Sequence, residues 1–131
     1  MTCTINASTT NNLQVSADGS GIVKLQSNGV TTNALAWVRF NSTTGAAVVT
    51  SSYNISSITY TSAGIYTLNF TNALSDANYS LAGSAYYPAT YIGVLGINGS
   101  PTTSSCPIAT YVATNGTAQN MPYICCVIFG N

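Results

Sequence analysis

Apolar and polar residues alternate along much of the chain, in short runs separated by turn residues. In the run GIYTLNFT (64–71), every second residue, Tyr66, Leu68 and Phe70, is large and apolar, as expected of a strand with one buried face. Such runs recur roughly every ten residues, while residues that favour helices are scarce and glutamate is absent. About nine or ten short strands of this kind predict an all-β sandwich or barrel. Of the two we expect an antiparallel, jelly-roll-like β-sandwich.

The last strand-like run differs from the others because it is apolar on both faces. The runs are, in order, NLQVS, GIVKLQSNGV, AWVRFN, AAVVTSSYN, ISSITYT, GIYTLNFT, NYSLAGSAYY, YIGVLGI, IATYVAT and YICCVIFG. The last run indicates a strand covered on both sides. It could be an ordinary central strand, or a strand that a neighbouring copy covers.

Residues 1–33 differ in amino-acid composition from the rest of the chain. They are rich in Asn, Ser and Thr and contain few side chains that could build a core. We interpret residues 1–33 as a thin N-terminal arm or stalk that serves for attachment, and residues 34–131 as the β-sandwich domain. Such an arm would gain order mainly by pairing with neighbouring copies.

Charge is nearly absent from the sequence. Only 3% of the 131 residues are charged and the net charge is zero, against about 25% charged residues in typical domains. Zero net charge argues against nucleic acid as a partner, and no apolar run approaches the ~18 residues of a membrane span. We therefore expect a surface of hydroxyls, amides and subunit contacts. No secretory signal is visible at the N-terminus, which predicts synthesis in a reducing cytoplasm.

The residues needed for common catalytic sites are missing. Without histidine or glutamate, a Ser-His-Asp triad cannot form within the chain. Asp18 and Asp76 lie in the turn-like runs SADGS and LSDAN, where aspartate usually caps backbone N–H groups. We expect no enzyme activity, no metal and no cofactor.

The four cysteines allow two interpretations. Adjacent Cys125 and Cys126 would point to opposite faces of a strand, which does not suit a metal site. The cysteines could be small buried hydrophobes. Alternatively, Cys106 could form a disulfide with Cys125 or Cys126 after release to an oxidising exterior; Cys3 adds to the pairings that the sequence leaves open.

Trp37 and Arg39 share one face of the run AWVRFN. Stacking of the guanidinium on the indole at a subunit interface is one interpretation, since interfaces favour both residues. A core tryptophan with a solvent-facing arginine is the other.

Three tyrosines are the candidate receptor-binding residues. Tyr86, Tyr87 and Tyr91 surround a proline in SAYYPATYIG, and tyrosine packs well on sugars and proteins alike. They could equally pack in the core or between subunits. The polar run NGSPTTSSCP (98–107) is a second candidate for recognition, as an exposed loop.

Several of these runs together resemble a known module. AWVRFN, YNISSIT, GIYTLNFTNALSDANYS and the leading TINASTT and LQVSADGSGIVKLQSNG are similar to a module at the C-terminal ends of tail-fibre-like proteins of marine and cyanobacterial phages. The resemblance covers residues 4 to about 84 and implies a homotrimer. It supplies no catalytic residues.

The resemblance and the charge deficit lead to one expected function. We expect a virion structural protein of the tail-fibre or appendage class that mediates attachment to the host cell surface. Residues 1–33 would bind other virion proteins, and residues 86–131 would face a host glycan or surface protein. The alternatives are a capsid decoration or cement protein without a receptor, and a stand-alone lectin-like module.

Overall fold

The computed structural model describes residues 24–87 and 92–130, in which all regular structure is β-strand. Every strand pairing is antiparallel, so the expectation of an all-β, antiparallel fold is confirmed. The strands are β1 (Gln26–Ser27), β2 (Val30–Thr31), β3 (Ala36–Asn41), β4 (Val48–Tyr53), β5 (Ile55–Ser62), β6 (Ile65–Phe70), β7 (Ser80–Tyr86), β8 (Ile92–Ile97), β9 (Ser105–Val112) and β10 (Tyr123–Phe129).

Eight of these strands form one sheet that is nearly closed. Their order is β4-β3-β10-β7-β8-β9-β6-β5, and β1 and β2 form a separate hairpin. The two edge strands, β4 and β5, are consecutive in sequence and are separated only by Asn54. The two edges of the sheet therefore come together at a corner, which leaves less unpaired strand edge than an open sheet would.

Asn54 holds this corner in place. Its φ of 55° lies in the left-handed region, which asparagine adopts more readily than most residues. The side-chain Nδ2 donates to the carbonyl oxygens of Leu35 and Asn72, each at 3.1 Å, and Oδ1 accepts from the Asn72 N–H at 2.8 Å. One amide side chain thus links the β4–β5 corner to the segments that precede β3 and follow β6.

The interior is built from the alternate residues that the sequence pattern predicted. The inward residues of β3 and β6 are buried, and those between them are exposed or half-buried. Aromatic rings meet edge to face inside the sheet: the ring centroids of Phe40 and Tyr66 are 5.2 Å apart, and those of Phe70 and Tyr79 are 5.8 Å apart. Such pairs contribute about 0.5–1.5 kcal/mol beyond the burial of their area.

Two glycines lie at close backbone approaches where β7 passes between β10 and β8. Only two residue pairs join β7 to β8, Ala85–Gly93 and Tyr86–Ile92. A Cβ on Gly83 would lie 2.1 Å from the Cys125 carbonyl oxygen, and a Cβ on Gly93 would lie 2.5 Å from the Ala85 carbonyl oxygen. Backbone and side chains approach here more closely than any larger residue allows.

Two strand predictions need correction. The run GIVKLQSNGV is not one strand over its described part, because Asn28 and Gly29 have φ values of 51° and 77° and turn the chain into the β1–β2 hairpin. Asn-Gly is the strongest short hairpin signal. The final strand β10 is central, between β3 and β7, as one of the two interpretations had it. Within residues 24–87 and 92–130, however, its outer face is not fully covered: Cys125 and Val127 are half-buried there and Phe129 is 41% exposed.

The described part of the expected N-terminal arm is the hairpin at residues 24–33. Its ends are joined by a hydrogen bond of 2.7 Å from the Thr32 N–H to the Leu25 carbonyl oxygen. The Lys24 Nζ donates to the Ser75 Oγ at 3.2 Å, and Thr31 is buried. This hairpin therefore rests near the loop that follows β6; the other residues of the arm lie outside the described ranges.

A pair of glycine substitutions tests the close approach at β7. Gly83→Ala should destabilise the protein by roughly 1–3 kcal/mol, because the new methyl group meets a backbone carbonyl of β10. Gly96→Ala is the matched control, since Gly96 is also in a strand and a Cβ there meets no atom within 4 Å. Urea unfolding of both variants measures the difference, and equal stabilities would contradict the packing described here.

Candidate ligand-binding site

A pocket opens at one end of the sheet, where β3 and β7 end and β6 and β10 begin. We call this the pocket end, and we call the opposite end, where the 24–33 hairpin joins, the entry end. The pocket, named the Tyr87 pocket, has a volume of about 450 Å³, within the ~300–1,000 Å³ typical of small-molecule sites. It is lined by Thr43, Tyr87, Gln119, Asn120 and Pro122.

Asn120 is held in one orientation by three hydrogen bonds. Its Oδ1 accepts from the Gly64 N–H at 2.8 Å and from the Tyr66 hydroxyl at 3.1 Å, and its Nδ2 donates to the Tyr60 hydroxyl at 3.4 Å. These partners belong to β5, β6 and the turn between them. The amide is therefore preorganised before any ligand arrives.

Behind Asn120 lies a buried polar network. The Tyr66 hydroxyl is hydrogen-bonded to the Ser42 hydroxyl. The Ser42 backbone N–H donates to the Met121 carbonyl oxygen at 3.0 Å. The Met121 N–H also donates to the Ser42 Oγ at 3.1 Å. Burial raises the pKa of Tyr66, so its hydroxyl stays protonated and donates to Asn120 at all ordinary pH values.

Gln119 is positioned through its backbone. Its N–H donates to the Thr110 carbonyl oxygen at 3.0 Å, and the Thr110 hydroxyl donates to the Gln119 carbonyl oxygen at 2.7 Å. Gly64, with φ +73°, permits this contact, because a Cβ there would lie 2.4 Å from the Gln119 nitrogen. The segment before β10 is thereby fixed against β9 and the start of β6.

Beside the pocket, two exposed tyrosines form what we call the aromatic pair. Tyr86 and Tyr123 are cross-strand partners on β7 and β10, with ring centroids 5.8 Å apart. They are 54% and 48% exposed. The Arg39 guanidinium lies over the Tyr123 ring, 5.2 Å from its centroid, which is a cation–π distance. Each tyrosine is a sequence neighbour of a pocket residue, Tyr87 or Pro122.

Two of the three expected receptor-binding tyrosines are among the described residues, and they lie in different environments. Tyr86 belongs to the exposed aromatic pair, whereas Tyr87 is half-buried, packs against the core and lines the pocket. Tyr91 lies outside the described residues. Sequence reasoning missed Thr43, Gln119, Asn120 and Pro122. The sequence did contain a signal for this site. The run TAQNMPY, which precedes the last apolar strand, has two amide side chains and ends in a tyrosine.

Trp37 and Arg39 share the outer face of β3, as expected, but in a different arrangement. The ring beneath the guanidinium is that of Tyr123, not the Trp37 indole. Trp37 is 38% exposed, so the interpretation as a core tryptophan is wrong for the single chain. It faces outward opposite Tyr53 of β4 and Val127 of β10. We call Trp37, Val127 and Phe129 the outer strip.

The second expected recognition loop, residues 98–107, lies at the entry end. Its last residues begin β9, and the Tyr79 hydroxyl donates to the Ser105 carbonyl oxygen at 2.8 Å. The Thr102 Oγ1 accepts from the Ser105 N–H at 3.0 Å. The loop is thus tied to the body of the sheet, far along the strands from the Tyr87 pocket.

The cysteines that the structure describes are free thiols. Cys106 and Cys126 are buried in the interior, and Cys125 points outward and is half-buried. These positions fit the interpretation as small buried hydrophobes for Cys106 and Cys126. Burial raises the pKa of Cys126 to about 12 and also raises the pKa of Cys106. Cys3 lies outside the described residues.

Comparisons with known proteins do not add a family. No family model, no curated protein and no solved structure matches this chain. Within residues 24–87 and 92–130, no group of three or more His, Cys, Asp or Glu side chains could hold a metal ion. In the same ranges there is no helix long and apolar enough to cross a bilayer. The geometry of the pocket end is therefore the main guide to function.

The buried thiol of Cys126 should make the protein less stable at alkaline pH. In the unfolded chain a thiol loses its proton near pH 9, whereas folded Cys126 keeps it up to about pH 12. The contribution of the protonated Cys126 thiol to the free energy of unfolding is complete below pH 9. As the pH rises from there, this contribution is lost at up to about 1.4 kcal/mol per pH unit. In reducing buffer, urea unfolding at pH 8 to 10.5 should show a shallower decline for Cys126→Ala than for the parent. Equal slopes would contradict this.

Proposed function

We propose that this protein is a virion protein of the tail-fibre or appendage class that attaches the particle to the host cell surface through its pocket end. The observation that carries the proposal is the exposed aromatic pair next to a preorganised, neutral pocket. Exposed aromatic side chains beside a concave site are typical of recognition surfaces. The resemblance of residues 4 to about 84 to phage tail-fibre modules gives the biological setting.

The direction of the chain supports this arrangement. The N-terminal hairpin meets the entry end, where Lys24 contacts Ser75 and where β3 begins. The pocket and the aromatic pair lie at the other end of the same strands. The proposal therefore places the attachment to other virion proteins on the side of the entry end and the host surface on the side of the pocket end. Strands β8 to β10 belong to the same sheet as β3 to β7. We therefore propose the pocket end as the outward surface, in place of the whole of residues 86–131.

We further propose a homotrimer in which each subunit is a jelly-roll-like sandwich. The eight-stranded sheet would divide into two layers between β7 and β8, where only two residue pairs connect them. The outer strip then provides the subunit contact, because Trp37, Val127 and Phe129 present apolar surface on a chain with zero net charge and 3% charged residues. Interfaces are enriched in such aromatic residues and depleted of charge.

Substitution of Trp37 tests this interface. Trp37→Asp should weaken association by about a hundredfold or more, since an unpaired buried carboxylate costs roughly 3–5 kcal/mol. Sedimentation should show three times the 13.5 kDa chain mass for the parent and a lighter species for the variant. Val94→Asp is the control, because Val94 is 46% exposed on β8, away from the outer strip. A monomeric parent, or equal effects of both substitutions, would remove the proposal of an interface at this strip.

Localisation and adsorption together test the attachment function. Antibodies raised against the protein should label the tails of intact particles. The purified protein should bind host cells and compete with particles for them. Tyr86→Ser combined with Tyr123→Ser should reduce cell binding about tenfold or more, because it removes two strongly exposed rings among the described residues of the pocket end.

The main competing function gives a different result in both assays. A capsid decoration protein would be labelled over the capsid surface and would neither bind cells nor compete with particles. Absence of label from the particles would contradict a virion protein of either kind. A lectin-like module outside the virion would then be supported by cell binding alone.

A further inference from the structure

Within residues 24–87 and 92–130, no charged side chain lines the Tyr87 pocket. Its walls are hydroxyl, amide, phenol and proline groups. Among the described residues, Lys24 and Asp76 are distant from it at the entry end, and Arg39 lies over the outer face of Tyr123. A charged ligand would lose hydration in this pocket without gaining an opposite charge. The occupant should therefore be neutral.

The lining also specifies a ligand with many hydroxyl groups. The Gln119 amide offers donors and an acceptor, and the Asn120 Nδ2 keeps one N–H. The Thr43 Oγ1, which donates to the Asn41 Oδ1 at 2.8 Å, can still accept. A sugar hydroxyl both donates and accepts, so it can pair with such groups where an apolar ligand would leave them unsatisfied. Because Asn120 is already fixed by Gly64, Tyr66 and Tyr60, little ordering is needed on binding.

Tyr87 supplies the apolar surface that the other face of a sugar ring requires. The ring lines the pocket and packs against the core, so it is rigidly placed. The C–H face of a pyranose can pack on an aromatic ring while its hydroxyls reach the amides. Tyr86 and Tyr123, the sequence neighbours of the lining residues Tyr87 and Pro122, present two further exposed rings at the same end of the sheet. A chain of several sugar units fits this arrangement better than a single one.

We infer that the Tyr87 pocket binds one sugar unit of an uncharged oligosaccharide, with Gln119, Asn120 and Thr43 pairing with its hydroxyls and Tyr87 packing on its ring. Neighbouring units of the oligosaccharide lie along Tyr86 and Tyr123. This inference names the ligand class for the proposed attachment function and rests on that function only for the cellular source of the glycan.

Direct binding to immobilised glycans tests the inference without reference to cells. The protein should bind neutral oligosaccharides and not sialylated, sulfated or uronate-rich ones. Gln119→Ala should weaken binding about tenfold or more, and Tyr87→Leu should do the same while Tyr87→Phe retains most of it. Gln26→Ala is the matched control, because this glutamine is exposed in β1 near the entry end. Unchanged melting temperatures would show that the variants fold.

Treatment of cells distinguishes the source of the ligand and separates the two proposals. Periodate, which cleaves vicinal diols of sugars, should abolish cell binding. Protease should spare binding to a polysaccharide and remove binding to a glycoprotein. Binding that is confined to acidic glycans, or that is unaffected by Gln119→Ala and Tyr87→Leu, would overturn the inference. Cell attachment that resists periodate would overturn the inference of a sugar ligand but would leave the attachment function standing. Binding to glycans without attachment to cells would support the sugar ligand and contradict the attachment function.

Discussion

The buried hydrogen-bond network of Ser42, Tyr66 and Asn120 is the constraint on which the pocket end depends. It joins the end of β3, the start of β6 and the segment before β10, which are far apart in sequence. Ser42 and Tyr66 are fully buried and Asn120 is half-buried, and leaving either buried hydroxyl without its partner costs about 1–3 kcal/mol. The same network orients the Asn120 amide, so the stability of the sheet and the shape of the Tyr87 pocket have a common origin.

Scarcity of charge shapes both the fold and the surface. Neutral side chains perform the linking roles that ion pairs often have: Asn54 joins the corner of the sheet, and Thr102 caps the turn before β9. Every buried side-chain polar atom in residues 24–87 and 92–130 has a hydrogen-bond partner. The exposed surface of these residues carries few charges and includes hydroxyl, amide, aliphatic and aromatic groups, which suits a neutral ligand at the pocket end and apolar contacts along the outer strip.

The alternation of apolar and polar residues predicted the strands that have one buried face and one solvent-exposed face. AWVRFN coincides with β3, and GIYTLNFT contains β6, because burial on one side imposes a period of two. The pattern failed where turn chemistry or long-range pairing decided the outcome. Asn28 and Gly29 break a run that looked continuous, and β9 begins at Ser105, ahead of the IATYVAT run, since it pairs there with Asn69 of β6.

The candidate site shows the same division. Tyr86 and Tyr87 stand out in the sequence as aromatic neighbours, and the alternation of β3 alone places Trp37 with Arg39. Gln119 and Asn120 lie in a segment without periodicity, and only contacts with Thr110, Gly64 and Tyr66 bring them to Tyr87. The sequence by itself determined the strand class, the inward faces of β3 and β6 and the near absence of charge, because these depend on local period and composition. The tertiary structure decided which strands are neighbours and which polar groups meet, because both depend on pairing across long stretches of chain.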